Sequence, residues 1–407
     1  MSKLSAVEVS NFKCFRHAHV EIGGLTLLAG LNGMGKSTVI QAALLLRQSF
    51  SDLFKTRLQL SGSLIDLGTG ADVFFDLADE DEITINVEYE VDLAGPWVRV
   101  EYVFAYDRSA ESLRLKRVPA NRAGRPGRYS LKYRQDGQWV DPADRTSGAS
   151  TNTNMGRNPI LRPTGFQYLS AERLGPRKML PFSDERIFRR DLGSQGEYVL
   201  NFLSEWGSDV LDDADPRIVD KFSKRTVIAQ VVDWLQDTSP GSRLDIRKLG
   251  DVDALTARYS YDRKGDVPSR PFRPTNVGFG LSYVLPVITA LISARAGDLV
   301  VIENPEAHVH PRGQTKLGQL ACRAVAAGVQ VIVETHSDHF LDGVRIDVRD
   351  KVLSNTDVAL HYFSRHGAEA MVHGPVLQSD GRLSDWPEGF FDQHATNMSR
   401  LLAPPAR

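Results

Sequence analysis

The pattern of apolar and polar positions predicts two strands, a third buried strand, a glycine-rich turn and a helix near the N-terminus. Residues 4–9 and 18–22 alternate apolar and polar side chains, as half-buried strands do. Residues 25–29 form a mostly apolar run, which is typical of a strand buried on both faces. A glycine-rich stretch, residues 30–35, then leads into an Ala- and Leu-rich segment that we predict to be helical to about Gln48.

Strand and helix patterns also alternate toward the C-terminus. A helical pattern follows Gly280, and apolar strands are predicted at residues 299–302 and 329–333, with a helix at 313–327 between them. Alternation at both ends, with β-rich material between, predicts one α/β domain split by an insertion.

The middle of the chain contains a predicted helix and two predicted strands. Asp215 followed by Pro216 is a typical helix start, and an apolar stripe continues to about Gln236. Residues 243–249 and 254–261 have strand-like patterns.

Composition excludes several classes of protein. The 407 residues are 42% hydrophobic and 25% charged, which excludes a disordered or collagen-like chain. Two cysteines, Cys14 and Cys322, form neither a disulfide framework nor a zinc site. The longest apolar run, residues 281–294, contains Pro286 and is too short to span a bilayer. We therefore expect a cytoplasmic protein with no membrane partner.

The net charge of −2 conceals two oppositely charged segments. Residues 71–92 carry nine acids and no Lys or Arg, whereas residues 108–134 carry nine basic residues and one acid. The basic segment, Arg108 to Arg134, is a candidate for contact with DNA or RNA phosphates. A solvated loop, or a protein interface that pairs with the acidic segment, explains it equally well. Its basic residues are Arg108, Arg114, Lys116, Arg117, Arg122, Arg125, Arg128, Lys132 and Arg134.

Residues 30–37 match the phosphate-binding pattern G-x-x-x-x-G-K-[ST] at every fixed position. Glycines let backbone N–H groups turn toward phosphate oxygens, and the helix that follows directs its positive end at the same anion. Lys36 is predicted to reach the β- and γ-phosphates, and Ser37 to coordinate Mg²⁺. The sequence thus predicts ATP and Mg²⁺ as cofactors. The expected nucleotide-binding residues here are Asn32, Gly33, Met34, Gly35, Lys36, Ser37 and Thr38.

Acids follow the next predicted strand. Glu303 ends the apolar run 299–302, where a second Mg²⁺-anchoring carboxylate is needed, although a solvated glutamate at a strand exit is the plainer alternative. His336 follows the strand at 329–333 and is a candidate for contact with the γ-phosphate or the attacking water, if it is not simply structural.

These motifs carry a resemblance to a known family. The chain contains N-F-K-C-F at residues 11–15, the P-loop, N-V-G-F-G-L-S at 276–282, I-E-N-P-E-A-H-V-H-P at 302–311 and V-I-V-E-T-H-S-D-H-F-L at 331–341. In this order they resemble the ABC-class ATPase heads of the SMC, RecF and OLD group. Within that group they resemble AAA-type ATPases, many of which are found in bacterial anti-phage defence loci. The resemblance covers about 200 residues at the two ends.

The resemblance implies an ABC-type P-loop ATPase head with a mixed sheet, interrupted by a β-rich and helical insertion. Residues 1–90 would hold the P-loop part, 91–269 the insertion, and 270–407 the signature segment, the strand-end acids and the switch histidine. It also implies a homodimer that sandwiches ATP. In such a dimer the signature segment Asn276–Ser282 of one protomer would cover the phosphate of the other, with Gly280 and Ser282 among the contacts. A packing role for this glycine turn is the alternative.

The chain departs from the family at one catalytic position. The group commonly has D-E-P or E-E-P where this chain has Glu303, Asn304 and Pro305, and an amide cannot act as a general base. Glu306 or Glu303, together with His336, would then act catalytically, and we expect slow turnover. Gln59 is a weak candidate for the glutamine that ABC heads place after the P-loop helix.

Two functions follow as hypotheses. The first is an ATP-driven dimeric switch that associates with nucleic acid and controls a separate effector, with no nuclease in this chain. The setting that the resemblance implies is prokaryotic anti-phage defence. The second is a nucleotide-bound scaffold or inhibitor subunit that hydrolyses little.

Overall fold

The apolar runs of the sequence form the central strands of a six-stranded mixed sheet. The computed structural model describes residues 2–50, 57–91, 97–116, 130–135, 138–140, 157–220, 222–262, 268–367 and 369–403. The strand order is β16-β15-β3-β14-β13-β9, and only the β15–β16 pair is antiparallel. These strands are β3 (Leu25–Gly30), β9 (Phe166–Leu169), β13 (Leu299–Glu303), β14 (Gln330–Glu334), β15 (Val358–His366) and β16 (Glu369–His373).

An antiparallel sheet packs beside it. Its strand order is β2-β1-β4-β5-β7-β8, and β6 pairs with β5. Its strands are β1 (Lys3–Phe12), β2 (Phe15–Glu21), β4 (Glu82–Glu90), β5 (Trp97–Asp107), β6 (Ser112–Leu115), β7 (Ser130–Gln135) and β8 (Gln138–Val140). A third, three-stranded sheet contains β10 (Leu180–Pro181), β12 (Ala254–Tyr261) and β11 (Ser242–Leu249), in that order.

Helices cover both faces of the mixed sheet. The longer ones are α1 (Lys36–Phe50), α4 (Val199–Trp206), α5 (Val227–Thr238), α6 (Phe279–Ser293), α7 (Pro311–Ala326), α8 (Asp338–Arg349) and α9 (Gln393–Leu402). Two short helices, α2 (Gly70–Val73) and α3 (Asp184–Phe188), lie in the connections.

The mixed sheet separates two hydrophobic cores. Val300 and Ile302 of β13 point into a core formed with α6, α7 and α8, whereas Leu299 and Val301 point into a second core with α1 and the antiparallel sheet. Because both faces are buried, the strand shows no apolar–polar alternation in the sequence. The predicted α/β class with a mixed sheet is confirmed.

The segment predicted to be an insertion contributes to both large sheets. Its strands β5 to β8 complete the antiparallel sheet that β1, β2 and β4 begin, and β9 forms the edge of the mixed sheet beside β13. The boundaries at 91 and 269 therefore do not coincide with sheet boundaries. Long-range strand pairing, which no local pattern encodes, joins these residues to the rest of the fold.

The helix predicted from Pro216 begins later in the chain. α5 starts at Val227, and residues 212–220 and 222–226 contain turns and bends but no helix. The buried Arg217 donates hydrogen bonds to the carbonyl oxygens of Leu291, Ile292 and Ala294 at the end of α6. This tertiary contact fixes the chain here in a non-helical path, despite the favourable Asp–Pro start.

In the part of the chain that the structure describes, no helix is long and apolar enough to span a bilayer.

One charged cluster holds the antiparallel sheet together. Arg99 on β5 donates hydrogen bonds to Glu8 on β1 (2.7 Å) and to Glu88 on β4 (3.0 Å). Burial raises the pKa of Glu8, but hydrogen bonds with His19 and Asn86 and the charge of Arg99 lower it to about 2 overall. Glu8 therefore stabilises the fold above its ordinary pKa near 4.5, and this stability is lost as the pH falls toward 2.

We predict that Arg99→Leu lowers the free energy of unfolding by about 3 kcal/mol, because it leaves the buried Glu88 and the partly buried Glu8 without their cation. The control is Arg108→Leu, whose partner Asp81 is exposed, and it should change the stability much less, because solvent screens an exposed ion pair. Urea denaturation at pH 7 measures both. Equal losses would contradict the special role of Arg99.

Candidate nucleotide-binding site

The glycine-rich turn between β3 and α1 has the backbone that its sequence predicts. Gly35 has a φ of 99°, and an added Cβ would lie 2.7 Å from Cys14 Sγ and 2.6 Å from the Phe15 ring. No other residue fits there. Lys36 is buried and donates from Nζ to the carbonyl oxygens of Gly30 (2.9 Å) and Leu31 (2.8 Å). Burial lowers the pKa of Lys36, although Glu334 and Glu306 offset part of this effect.

The turn opens onto a cavity of about 720 Å³. This volume lies within the range of small-molecule and cofactor sites, which runs from about 300 to 1,000 Å³. Other wall residues come from the β1–β2 corner, from residues 71–77 and from the ends of β14 and β15. Met34 instead packs against the hydrophobic core beneath the turn. Six predicted nucleotide-binding residues line the cavity: Asn32, Gly33, Gly35, Lys36, Ser37 and Thr38.

The strand-end carboxylates lie side by side. Glu303 and Glu334 are direct partners in the parallel register of β13 and β14. Glu303 accepts hydrogen bonds from the Tyr168 hydroxyl and the Ala171 N–H, both at 3.2 Å. The hydroxyl of Ser37, which we predict to coordinate Mg²⁺, donates a hydrogen bond to Glu334 (3.0 Å). Sequence reasoning missed Glu334, although it ends an apolar strand as Glu303 does.

The carboxylates share a poorly hydrated environment. Burial raises the pKa of Glu303 and of Glu306. Burial and the neighbouring Glu303 together raise the pKa of Glu334 to about 7. One oxygen of Glu334, Oε2, is buried without a hydrogen-bond partner. A serine hydroxyl beside carboxylate oxygens is a set of ligands that suits Mg²⁺. A cation there would offset the repulsion between Glu303 and Glu334.

Glu306 and His336 connect the two strand ends. Glu306 accepts hydrogen bonds from the Thr335 hydroxyl (2.9 Å) and from the His336 N–H (2.7 Å). Partial burial and the charge of Lys36 lower the pKa of His336, which favours the neutral imidazole. Neither side chain is among the described residues that line the cavity.

Asn304 occupies a backbone position that explains its residue type. Its φ is 45°, in the left-handed region that asparagine tolerates better than most residues. Its Oδ1 is buried without a hydrogen-bond partner.

The buried Arg173 links the ends of β9 and β13 to helix α6. Arg173 donates to the carbonyl oxygens of Ser170 (2.8 Å), Glu303 and Asn304 (both 2.5 Å) at the strand ends. It also donates to the carbonyl oxygen of Tyr283 in α6 (3.2 Å). Burial lowers the pKa of Arg173 to about 10, so it stays charged at neutral pH.

The signature segment lies at the start of α6, and its members differ in exposure. Gly278 and Phe279 are exposed, whereas a Cβ on Gly280 would lie 2.6 Å from the His308 carbonyl oxygen. Ser282 is partly buried and shares a hydrogen bond with the Tyr259 hydroxyl. No residue of the segment lines the described wall of the P-loop cavity.

The basic segment is partly paired with the acidic one. Arg108 contacts Asp81, and Lys116 contacts Glu82. Arg117, Arg122, Arg125 and Arg128 lie outside the described residues.

Gln59 does not line the P-loop cavity as far as the structure is described. Its side chain donates instead to the Ser61 carbonyl oxygen.

We predict that Arg173→Lys lowers the free energy of unfolding by about 3 kcal/mol or more, because an ammonium group cannot satisfy four carbonyl oxygens in different directions. Arg177→Lys, at a nearby exposed position, is the matched control and should change little. Thermal and urea denaturation measure both variants. If they behave alike, Arg173 does not hold the strand ends together.

Family models match three segments of the chain. Residues 2–132 match the model described as "AAA ATPase domain", and residues 171–342 match "AAA domain, putative AbiEii toxin, Type IV TA system". Residues 353–401 match "Protein of unknown function (DUF3696)". No curated protein sequence matches the chain significantly.

Solved SMC heads share the fold. The SmcHead bound to the C-winged helix domain of ScpA is 12% identical, with a TM-score of 0.54, over 92% of this chain and 98% of that one. The Smc head domain with an extended coiled coil bound to the C-terminal domain of ScpA, from Pyrococcus furiosus, is 11% identical, with a TM-score of 0.50, over 99% and 100%. Residues 2–132 and 171–342 are thus similar to AAA ATPase domains, and the chain has a P-loop fold of the SMC-head type.

Proposed function

We propose that the protein binds ATP with Mg²⁺, hydrolyses it slowly and uses it to control dimerisation. The observation that carries this proposal is the P-loop cavity, in which Lys36 and Ser37 lie beside a buried carboxylate. A cationic lysine, backbone N–H groups and an anchored cation are the parts that phosphoryl transfer requires.

Slow hydrolysis is supported by the hydrogen bonds of the nearby acids. Asn304 has no basic group, and Glu306 already accepts hydrogen bonds from Thr335 and His336. Glu303 is likewise engaged by Tyr168 and Ala171. A water molecule would therefore be activated weakly unless the site rearranges, and positioning and charge would supply most of the rate enhancement.

We predict that Lys36→Ala reduces ATP turnover by about 100-fold or more, because it removes the cation nearest the phosphates. Steady-state phosphate release and calorimetric titration with ATP measure turnover and binding. Lys316→Ala, whose partner Asp237 lies on another helix, is the matched control. Unchanged ATP affinity in Lys36→Ala would refute the site. Tight ATP binding by the wild type without turnover would favour the alternative, a nucleotide-bound scaffold or inhibitor subunit.

Dimerisation is supported by the exposed start of α6. The backbone N–H groups at a helix N-terminus favour an anion, and Gly278 and Phe279 at this N-terminus are exposed. Gly280 and Ser282 are more enclosed, so in this proposal they shape the turn while the exposed residues meet the phosphate of the second protomer.

We predict that Gly278→Glu prevents ATP-dependent dimerisation, because its carboxylate would repel the phosphate of the partner protomer. Gly278 has a φ of −59°, and a Cβ there meets nothing within 4 Å, so the fold should tolerate the change. Light scattering with and without ATP measures the mass, and Gly278→Ala is the control. Dimers of Gly278→Glu that form as in the wild type would contradict the proposal.

The proposal extends to a protein partner, a biological setting and contact with nucleic acid. Two SMC heads of the same fold are bound to domains of ScpA, which supports a separate protein partner for this chain. The description of the 171–342 match supports a toxin–antitoxin or defence setting. Contact with DNA or RNA would depend mainly on the arginines between 117 and 128, because Arg108 and Lys116 are already paired with acids.

A further inference from the structure

Three acidic side chains approach the P-loop, but they do not face it equally. Glu334 lines the P-loop cavity together with Lys36 and Ser37. Glu303 and Glu306 are not among the described residues of that wall. The acid that a nucleotide-bound cation would meet in the cavity is therefore on β14, one strand nearer the P-loop than Glu303.

Glu303 already has two partners. Both its oxygens accept hydrogen bonds, Oε1 from the Tyr168 hydroxyl and Oε2 from the Ala171 N–H. These groups belong to β9 and the residues after it, so they hold the carboxylate toward β9, while the P-loop strand lies on the other side of β13. Turning Glu303 toward a cation would leave both donors without their acceptor.

Glu334 has the opposite arrangement. It is 6% exposed, its Oε1 accepts the Ser37 hydroxyl, and its Oε2 has no hydrogen-bond partner. A buried carboxylate oxygen without a partner is costly, and a cation or its water shell would satisfy it.

We propose that Glu334, together with Ser37, is the carboxylate that anchors the nucleotide-bound Mg²⁺. Glu303 is then a positioning residue that fixes the end of β9 against β13. The inference rests on the proposed ATP binding and specifies which acid serves it. The carboxylate that the sequence led us to expect at Glu303 is supplied one strand away, at its direct register partner.

The test compares two isosteric variants, Glu334→Gln and Glu303→Gln, by their affinity for ATPγS in excess Mg²⁺ and in EDTA. We define the Mg²⁺ advantage as the dissociation constant in EDTA divided by the dissociation constant in excess Mg²⁺. We expect Glu334→Gln to lose about tenfold or more of this advantage, as the loss of a metal-anchoring group does elsewhere. Its affinity in EDTA should stay the same or improve, because a buried negative charge near the phosphates is gone. Glu303→Gln should keep most of the advantage.

A second measurement reports on the metal directly. Electron paramagnetic resonance of Mn²⁺ with ATPγS should show bound metal in the wild type and in Glu303→Gln, and a weakened signal in Glu334→Gln. Glu334→Asp, which retains a shorter carboxylate, should recover part of both effects. This variant also decides the matter if Glu334→Gln fails to fold.

Three results would overturn the inference. A full Mg²⁺ advantage in Glu334→Gln would assign the residue a structural role. A full Mg²⁺ advantage with loss of turnover only would make Glu334 a general base. If Glu303→Gln loses the Mg²⁺ advantage and Glu334→Gln does not, Glu303 is the residue that anchors the metal. Failure of the wild type to bind ATPγS in both conditions would instead refute the proposed function.

Discussion

The buried guanidinium of Arg173 is the interaction on which the arrangement of the site depends. It donates hydrogen bonds to carbonyl oxygens at the ends of β9 and β13 and to one in α6. An arginine can do this because its planar group offers five N–H donors in fixed directions. The contact joins the strand-end acids to the signature helix, so a movement of α6 would be transmitted to the site through one rigid side chain.

Burial also disfavours the charged forms of the neighbouring acids. Glu303, Glu306 and Glu334 lie close together with little water, and burial raises the pKa of each. A cation bound at this site would therefore offset the repulsion between the carboxylates. An ATP-controlled switch can use such a difference, because a ligand shifts a conformational equilibrium only when it interacts differently with the two states.

Sequence reasoning predicted the parts of this fold that depend on local pattern. The buried strands β3, β13 and β14 and the glycine turn follow from apolar runs and from a motif with a fixed backbone requirement. It did not predict where Arg217 and Arg173 would lie, because, apart from Ser170, their carbonyl partners are 74 to 131 residues away in the sequence. It also did not predict that the Ser37 hydroxyl would contact Glu334, since register between parallel strands is a tertiary property.

The position of Asn304 shows why the acid on β14 matters. The residue after β13 has a left-handed backbone, where asparagine is favoured, and its N–H donates to the carbonyl oxygen of Glu334. The amide therefore lies directly beside the strand end that carries the cavity-facing carboxylate. In the proposed site, Glu334 would supply a negative charge near the phosphates where Asn304 offers none. This charge would lie toward the P-loop, where it would hold a cation, and would be placed less favourably for activating water beyond the γ-phosphate. The proposed arrangement would therefore favour nucleotide retention over rapid turnover.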